Sequence, residues 1–360
     1  MSTLRLYDST QAALRERLPL VLDSQRANLA LLVSAAAHAQ SCHLADLARA
    51  LPLPTLQASK VQRIRRLLDN ERIALDTHYR PIVRHAVQGV RGQTVDVILD
   101  RVRLKNRQNV VVGSLGFRRR AVPLAWEVLD HLGSSGSDCH IAVLEQAARS
   151  LPADVAVTVH GDAEFCTTTL FRWARKRGWH AILGLRSSTH LYVSPARDAA
   201  GQSIAAYYGD RRGVVYVAQV YVTEERFGPV NLMIWWDGDE EEPIRAVMTD
   251  LPANGITFQR GRRRMWIETL FRDWQSSGFH LDQTGLESAE RFHRLLIVLA
   301  IAYLLFLSMG RWVVKRSYRR LIDDGASRTW HYSLFQLGVG WMIYCQSNNY
   351  SMPVILSLYP

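Results

Sequence analysis

Apolar residues recur at helical spacing through residues 1–92, without the alternation that marks strands. Within this region one predicted helix has an apolar face formed by Leu44, Leu47, Ala48 and Leu51. The prolines of the following sequence LPLPT end that helix, because proline lacks the amide hydrogen that a continuing helix needs. A second helix follows and turns Val61, Ile64 and Leu68 inward. The pattern predicts a helical amino-terminal domain.

The outer face of this second helix is basic. It carries Lys60, Gln62, Arg63, Arg65 and Arg66. Two short helices with a basic second member are typical of a helix-turn-helix DNA reader, in which Lys60, Arg63 and Arg66 would contact DNA. An ordinary helical pair with a solvated basic face is an equally open interpretation, because the proline-containing connection is looser than the usual tight turn.

The pattern changes at about residue 94, where three β-rich runs follow one another at residues 94–100, 109–117 and 121–129. They predict an antiparallel meander. A helix at 139–150, a strand at 155–161, a helix at 168–177 and a strand at 180–186 come next. This order is that of an α/β domain of the RNase H-like, or retroviral-integrase-like, class.

A β-rich stretch predicted to form a separate insertion comes next, and the sequence RRRMWIETLFRDWQ then predicts a helix over Arg262–Gln275. The whole pattern divides the chain into a helical DNA-binding domain (1–92), the first part of a catalytic core (93–186), the insertion (187–255), the second part of the core (256–310) and a helical carboxyl-terminal region (311–360).

The net charge of the chain indicates what kind of partner it binds. The chain has 44 Lys and Arg against 33 Asp and Glu, a net charge of +11 and a pI near 9.8, which favours a polyanion such as nucleic acid or an anionic membrane surface. The most membrane-like segment, Leu295 to Leu307, is shorter than a spanning helix needs, so we expect a buried core helix and no membrane partner. The four cysteines form no CxxC pair, which fits a reducing cytoplasm.

Two acids stand at the ends of predicted strands. Asp100 ends the first strand, and Asp162 follows the fourth. In an RNase H-like sheet these strands lie side by side and parallel, which would bring the two acids together. Glu268, on the helix after the insertion, would complete three carboxylates suited to Mg²⁺. The alternative for Glu268 is a surface ion pair with Arg264 and Arg272, each four residues away.

At these residues the chain resembles the DDE transposases of bacterial insertion sequences, in the cut-and-paste branch with a Tyr, Arg, Glu, Lys signature around the last acid. Three acids carry the resemblance. The first is Asp100, in VILDRVRLKNRQNVVVGSLGFRRRAVPLAWEVL, and the second is Asp162, in VHGDAEF. The third is Glu268, and the match continues after it through FRDWQSSGFHLDQTGLESAERFHRLLIVLAIAYLLF. Arg264 is similar to the signature Arg. Gly261 and Gln275 stand where the family has Tyr and Lys, so we expect Arg262, Arg263 and Arg272 to supply positive charge for phosphate instead.

The resemblance implies a transposase that cleaves transposon ends and joins them to target DNA. It implies two Mg²⁺ ions, for which Mn²⁺ would substitute, held by Asp100, Asp162 and Glu268. The partners implied are double-stranded DNA, as terminal inverted repeats and target, and a second copy of the chain on DNA, in a bacterial cytoplasm at the nucleoid. Arg264, Arg272 and Gln275 would contact DNA. The alternatives are an inactive or domesticated DNA-binding protein and a metal-dependent nuclease without strand transfer.

Hairpin-forming relatives trap a flipped base with an aromatic residue of the insertion, which makes Trp235 and Trp236 DNA-binding candidates. Packing in the core or sheet is the favoured interpretation for both, because large aromatic residues stabilise mostly by burial. Three other acidic sites are given structural roles. The run DGDEEEP (237–243) is expected at a solvated hairpin tip. Glu164, two residues from Asp162, is a candidate to support the metal ligands without binding the metal itself, and Asp273 is expected to pair with arginine.

Overall fold

The computed structural model describes residues 2–104, 109–131, 133, 135–238, 243–325 and 330–359, and it begins with helices, as the apolar periodicity predicts. The amino-terminal α-helices are α1 (Ser2–Arg17), α2 (Asp23–Ala39), α3 (Leu44–Ala50), α4 (Gln57–Leu68) and α5 (Arg80–Ala86). The helices α3 and α4 are the predicted pair. Leu47 and Ala48 on α3 and Ile64 and Leu68 on α4 are buried, so the predicted inward faces are confirmed.

Ten strands form one sheet behind these helices. They are β1 (Thr94–Arg103), β2 (Asn109–Phe117), β3 (Arg120–Leu129), β4 (Ala156–Gly161), β5 (His180–Leu185), β6 (His190–Tyr192), β7 (Gln202–Ser203), β8 (Val215–Val222), β9 (Phe227–Trp236) and β10 (Ile244–Thr249). The first three pair antiparallel, as predicted for the meander. Strand β4 then pairs parallel with β1, and β5 pairs parallel with β4. The predicted adjacency of the first and fourth strands is confirmed.

Three α-helices accompany these strands. They are α6 (Ser137–Ala148), α7 (Thr168–Lys176) and α8 (Ile204–Tyr208). The first packs against β2 and β3, and the second packs against β5. Six consecutive residues of β1, from Val95 to Asp100, are buried. A strand covered on both faces has a nearly continuous apolar sequence, as β1 does.

The β-rich stretch after β5 extends the central sheet and does not form a separate sheet. Strand β10 pairs antiparallel with β5, and the order continues through β9, β8, β6 and β7. The register matches Ala246 with Leu185 and Met248 with Leu183. Pairing in this way covers an edge of β5 whose backbone groups would otherwise be exposed. Adjacent alternating strands predict a sheet but not which edge they join.

The chain then returns to helices. These are α9 (Gly255–Gly261), α10 (Trp266–Trp274), α11 (Ala289–Lys315) and α12 (Leu334–Ser347). Helix α11 is long and apolar enough to cross a membrane by composition alone, yet 89% of its most apolar window is buried in the protein. Every residue from Leu295 to Leu307 is fully buried, and α11 packs against α2, α12 and β3. The prediction of a buried core helix is confirmed.

The carboxyl-terminal region is only partly helical. Beyond α12 the chain runs without helix or strand to Tyr359. Leu356 and Leu358 are buried, and the amide of Leu358 donates to the carbonyl of Ala86 over 3.1 Å. This stretch therefore closes over α5. A helical tail was expected from its apolar content, but Pro353 and the residues around it favour an extended chain.

We expect Gly338→Ala to destabilise the fold. An added Cβ at Gly338 would lie 2.0 Å from the carbonyl oxygen of Phe306, and one at Gly310 would lie 1.9 Å from that of Leu334, so α11 and α12 meet at glycines. Forcing these helices apart should lower the free energy of unfolding by about 2 kcal/mol, measured by urea denaturation. Gly255→Ala is the control, because its nearest neighbour would be 3.8 Å away. Equal stability of the two variants would contradict the close helix contact.

Candidate active site

The parallel register of β1 and β4 sets the position of two of the predicted acids. Ile98 is paired with His160, and both strands run in the same direction. Asp100 and Asp162 each lie two residues further on, one within β1 and the other just after β4. Because side chains alternate along a strand, residues two apart share a face. The two acids therefore stand at the same end and on the same face of adjacent strands.

The third acid arrives on α10. Ile267, Leu270 and Trp274 of this helix are buried, as its apolar spacing predicts, and α10 packs against β1, β2 and β3. Gly116 on β2 gives room for this packing, since a Cβ there would lie 3.2 Å from the Trp266 ring. Glu268 lies on the other side, and its side chain is 46% exposed.

The predicted helix over Arg262–Gln275 is regular only in part. Its first turn, Arg262–Met265, is a 3₁₀ helix, and the α-helix begins at Trp266. The side chains of this first turn are not buried. Because none of its side chains is buried, the turn is held by polar contacts, which include those of Arg263 and Arg264.

One cleft of about 970 Å³ brings the three acids together. Asp100, Asp162 and Glu268 all line it. Its basic and aromatic lining includes Arg101, Arg245, Arg262, Arg264, Trp235, Trp236, Phe258 and Phe271. Arg264 lies between two of the acids, with Nη1 at 3.2 Å from Oδ2 of Asp100 and Nη2 at 4.0 Å from Oε1 of Glu268. The surface ion pair expected from the spacing of Arg264 and Glu268 is therefore present, but it is long and shared with Asp100.

Asp100 is the electrostatically unbalanced member of the group. It is only 9% exposed, and this burial, together with the negative charges of Asp162 and Glu268, raises its pKa to about 6. Arg264 and the backbone amide of Arg101 oppose the shift without cancelling it. A carboxyl group in this state gains from a cation placed beside it.

The three acids share the cleft but do not form a closed cage. In the described part of the chain, no three His, Cys, Asp or Glu side chains stand close enough to hold a metal ion. The positively charged guanidinium of Arg264 lies between Asp100 and Glu268. The oxygen donors and the raised pKa of Asp100 nevertheless fit a hard divalent cation, which binds carboxylates in preference to softer ligands.

A second pair of residues connects the end of β1 to the segment after β4. Arg101 is almost fully buried, and its Nη2 lies 2.6 Å from Oε2 of Glu164. The amide of Glu164 donates to Oδ1 of Asp162 over 2.9 Å. Glu164 thus bonds both to Asp162 and to Arg101, the residue after Asp100, and its role in supporting the metal ligands stays a prediction.

Sequence reasoning missed Asp96. This residue is 4% exposed and accepts hydrogen bonds from three side chains, namely His160 Nε2 (2.8 Å), Arg260 Nε (2.6 Å) and Arg263 Nη1 (2.6 Å). Burial alone would raise its pKa, but the bonds and charges of these partners outweigh burial and hold the pKa well below its ordinary value. The available signal was an acid inside an apolar strand, four residues before Asp100. Arg263 is therefore paired with Asp96, and its expected contact with DNA phosphate stays a prediction.

The other residues predicted from the signature have different surroundings. Arg272 is exposed on α10, and Gln275 donates from Nε2 to the carbonyl of Arg103 over 3.3 Å. Gly261 fits closely, since a Cβ there would lie 3.3 Å from Ile182. Asp273 pairs with Arg120 over 3.1 Å, which confirms the predicted arginine partner but places it on β3.

The two tryptophans of β9 differ from each other. Trp235 is half-buried and packs edge-on against Phe258, with ring centroids 5.2 Å apart, which agrees with the packing interpretation. Trp236 is 57% exposed, so that interpretation is wrong for it. The ladder between β9 and β10 ends at the pair Trp236 and Ile244, which leaves the second ring at the rim of the cleft. Of the acidic run beside it, residues 239–242 lie outside the described residues.

A second cleft lies in the amino-terminal helices. Lys60, Arg63 and Arg66 of α4 line it, together with Arg72 and with Asn28 of α2. No acidic residue is among its described lining. Two of its cations already have protein partners, because Lys60 Nζ donates to the carbonyl of Leu51 over 2.9 Å and Arg63 Nε donates to Asn28 Oδ1 over 2.8 Å.

Comparison with known families agrees with this geometry. Residues 127–305 match the family described as the transposase DDE domain. The chain belongs to the DDE transposases. The matched segment of this transposase includes Asp162 and Glu268, whereas Asp100 precedes it. No curated protein matches the chain closely enough to name an individual relative.

The raised pKa of Asp100 predicts how stability depends on pH. Ionising this group costs free energy in the folded transposase, and that cost starts above its ordinary pKa of 3.8 and is complete above about 6. Asp100→Asn removes the cost, so we expect the variant to gain about 2 kcal/mol over wild type at pH 8 and much less at pH 4.5, by urea denaturation. The exposed Asp154→Asn serves as control and should change stability little at either pH. An equal difference at both pH values would contradict the assignment.

Proposed function

We propose that this transposase cleaves the ends of its element and joins them to target DNA by metal-dependent phosphoryl transfer. The observation that carries the proposal is the meeting of Asp100, Asp162 and Glu268 in one cleft. The order β3-β2-β1-β4-β5, antiparallel and then parallel, supports an RNase H-like core for residues 93–186 and 256–310. Residues 187–255 supply the added strands of this core.

Asp100, Asp162 and Glu268 would hold the metal, which we expect to be two Mg²⁺ ions or Mn²⁺ in their place. Bound there, the ions would activate the attacking oxygen and stabilise the leaving one. The protein itself would hold the three carboxylates in position around the ions. Arg264 would then exchange its contacts with Asp100 and Glu268 for a DNA phosphate, a bidentate acceptor that suits a guanidinium.

Contacts to DNA would extend along α10 and the rim of the cleft. Arg272 is exposed two turns from Arg264, and Gln275 follows at the end of the helix. Trp236 offers an exposed ring at the rim, with which an unstacked base would stack, and Trp235 would support the rim through Phe258. Stacking of this kind would assist a hairpin intermediate at the transposon end.

We infer that residues 1–92 bind the terminal inverted repeats. Lys60, Arg63 and Arg66 line a cleft that has no acidic residue among its described lining, and Arg72 adds a fourth cation. Phosphate neutralisation supplies most of the affinity of such sites. Double-stranded DNA is thus the proposed partner of both clefts, with two copies of the chain acting on paired ends in the cytoplasm.

Single substitutions at the three acids test the catalytic proposal. We expect Asp100→Asn, Asp162→Asn and Glu268→Gln each to lower the Mg²⁺-dependent cleavage rate of end-containing duplex by at least about a thousandfold, because each removes a charged ligand of the ions. Affinity for the same duplex should stay within about threefold of wild type. Gel assays of strand breaks and joined products would measure the rates, on duplexes taken from the DNA that flanks the gene.

The exposed Asp154→Asn is the control and should cleave like wild type. Near-normal cleavage by one acid variant would remove that residue from the site. Cleavage without joined products would favour a nuclease. Tight binding by the wild-type chain without any cleavage would favour an inactive or domesticated DNA-binding protein.

The amino-terminal cleft is tested by salt dependence. Arg63→Ala with Arg66→Ala should reduce the slope of log affinity against log salt by about two, because each arginine that contacts phosphate releases about one counterion. Fluorescence anisotropy of a labelled end duplex measures that slope. Arg175→Ala, an exposed arginine of α7, is the matched control and should leave the slope unchanged. An unchanged slope in the double variant would favour a solvated basic face.

A further inference from the structure

Asp96 connects the two site-bearing strands to the segment that carries Glu268. Its carboxylate lies on β1, on the same face as Asp100, and His160 donates to it from β4. Arg260 donates from α9, and Arg263 donates from the 3₁₀ turn before α10. The buried carboxylate of Asp96 therefore accepts hydrogen bonds from β4, from α9 and from the turn that leads into α10.

The charge of Asp96 is well matched to these donors. Burial lowers the pKa of His160, and its Nε2 faces the Asp96 carboxylate at 2.8 Å and so acts as the donor. The two guanidinium groups supply the positive charge, and Arg260 also donates from Nη2 to the carbonyl of Val95 over 3.2 Å. A carboxylate accepts on both oxygens, whereas an asparagine amide at this position would turn an NH₂ group towards donors.

Polar contacts are what hold the turn before α10. The side chains of Arg262–Met265 are not buried, so apolar packing does not fix this turn. The first α10 residue, Trp266, contacts the sheet at Gly116, where a Cβ would also lie 3.5 Å from the Cβ of Asp96. The ion pairs of Asp96 thus restrain the chain five to eight residues upstream of Glu268, just before Arg264, which is bonded to Asp100.

We propose that Asp96 is a positioning residue, which fixes through Arg260 and Arg263 where α10 presents Glu268 to Asp100 and Asp162. Its effect on α10 follows from the contacts alone. Its effect on catalysis rests on the proposed function.

Hydrogen exchange of the full-length protein tests the positioning without any assay of activity. In Asp96→Asn we expect amides of residues 258–270 to exchange about tenfold faster or more, because hydrogen bonds to a charged acceptor are lost there. Amides of α11 should be unaffected. Asp323→Asn is the matched control, since Asp323 is also buried and paired with an arginine, Arg319. It should leave residues 258–270 unchanged.

Unchanged exchange in residues 258–270, or an equal increase throughout the chain, would overturn the proposal. If Asp96→Asn does not fold, Arg263→Gln replaces it. That side chain is 45% exposed, so its loss removes one donor and leaves the core intact. The same increase in exchange, smaller in size, is then expected.

A second experiment measures the consequence for the metal site. For Asp96→Asn, the Mg²⁺ concentration that gives half-maximal cleavage of end duplex should rise about tenfold, with partial recovery in Mn²⁺ and duplex affinity unchanged. A purely structural role would reduce the active fraction and leave that concentration as in wild type, which would overturn the catalytic part. If wild type does not cleave at all, the proposed function fails, and hydrogen exchange alone decides the role of Asp96.

Discussion

The parallel pairing of β1 with β4 is the constraint on which the site depends. Its register sets Ile98 beside His160 and so places Asp100 and Asp162 together at one end of the sheet. The same register brings His160 within reach of Asp96. A shift of β4 by one residue would turn His160 and Asp162 away from the face that carries Asp96 and Asp100. Parallel neighbours need a long crossover, which here is the meander and α6, so this pairing joins residues far apart in sequence.

Two carboxylates on the same face of β1 have opposite surroundings. Asp96 is ionised and satisfied, because two arginines and a histidine donate to it. Asp100 is buried beside other acids, and Arg264 and the backbone amide of Arg101 compensate it only in part. The first arrangement favours a fixed structure, and the second leaves a group that gains from a new cation. Separation of roles by environment is typical of functional sites, where acids of one type differ in pKa.

Much of this architecture follows from the sequence. The parts that could not be predicted from it share one cause. Strands, the buried α11 and the apolar face of α10 were predicted because periodicity is local. The meeting of Asp100 and Asp162 required only the strand order. By contrast, the hydrogen bonds of Asp96, the exposed ring of Trp236 and the edge joined by β10 depend on which distant residues become neighbours. Periodicity carries no information about those neighbours, and an acid in an apolar strand signals only that some partner exists.

Helix α11 has a consequence for how the chain is made. It is apolar on all sides, and its partners come from both ends of the polypeptide, with α2 near the start and α12 near the finish. During synthesis α11 leaves the ribosome before α12, so for about a few seconds this hydrophobic helix can pack against α2 but not yet against α12. An assisting chaperone would find its target in that interval. Genes truncated just upstream of residue 334 should therefore yield aggregating products, not shorter working enzymes.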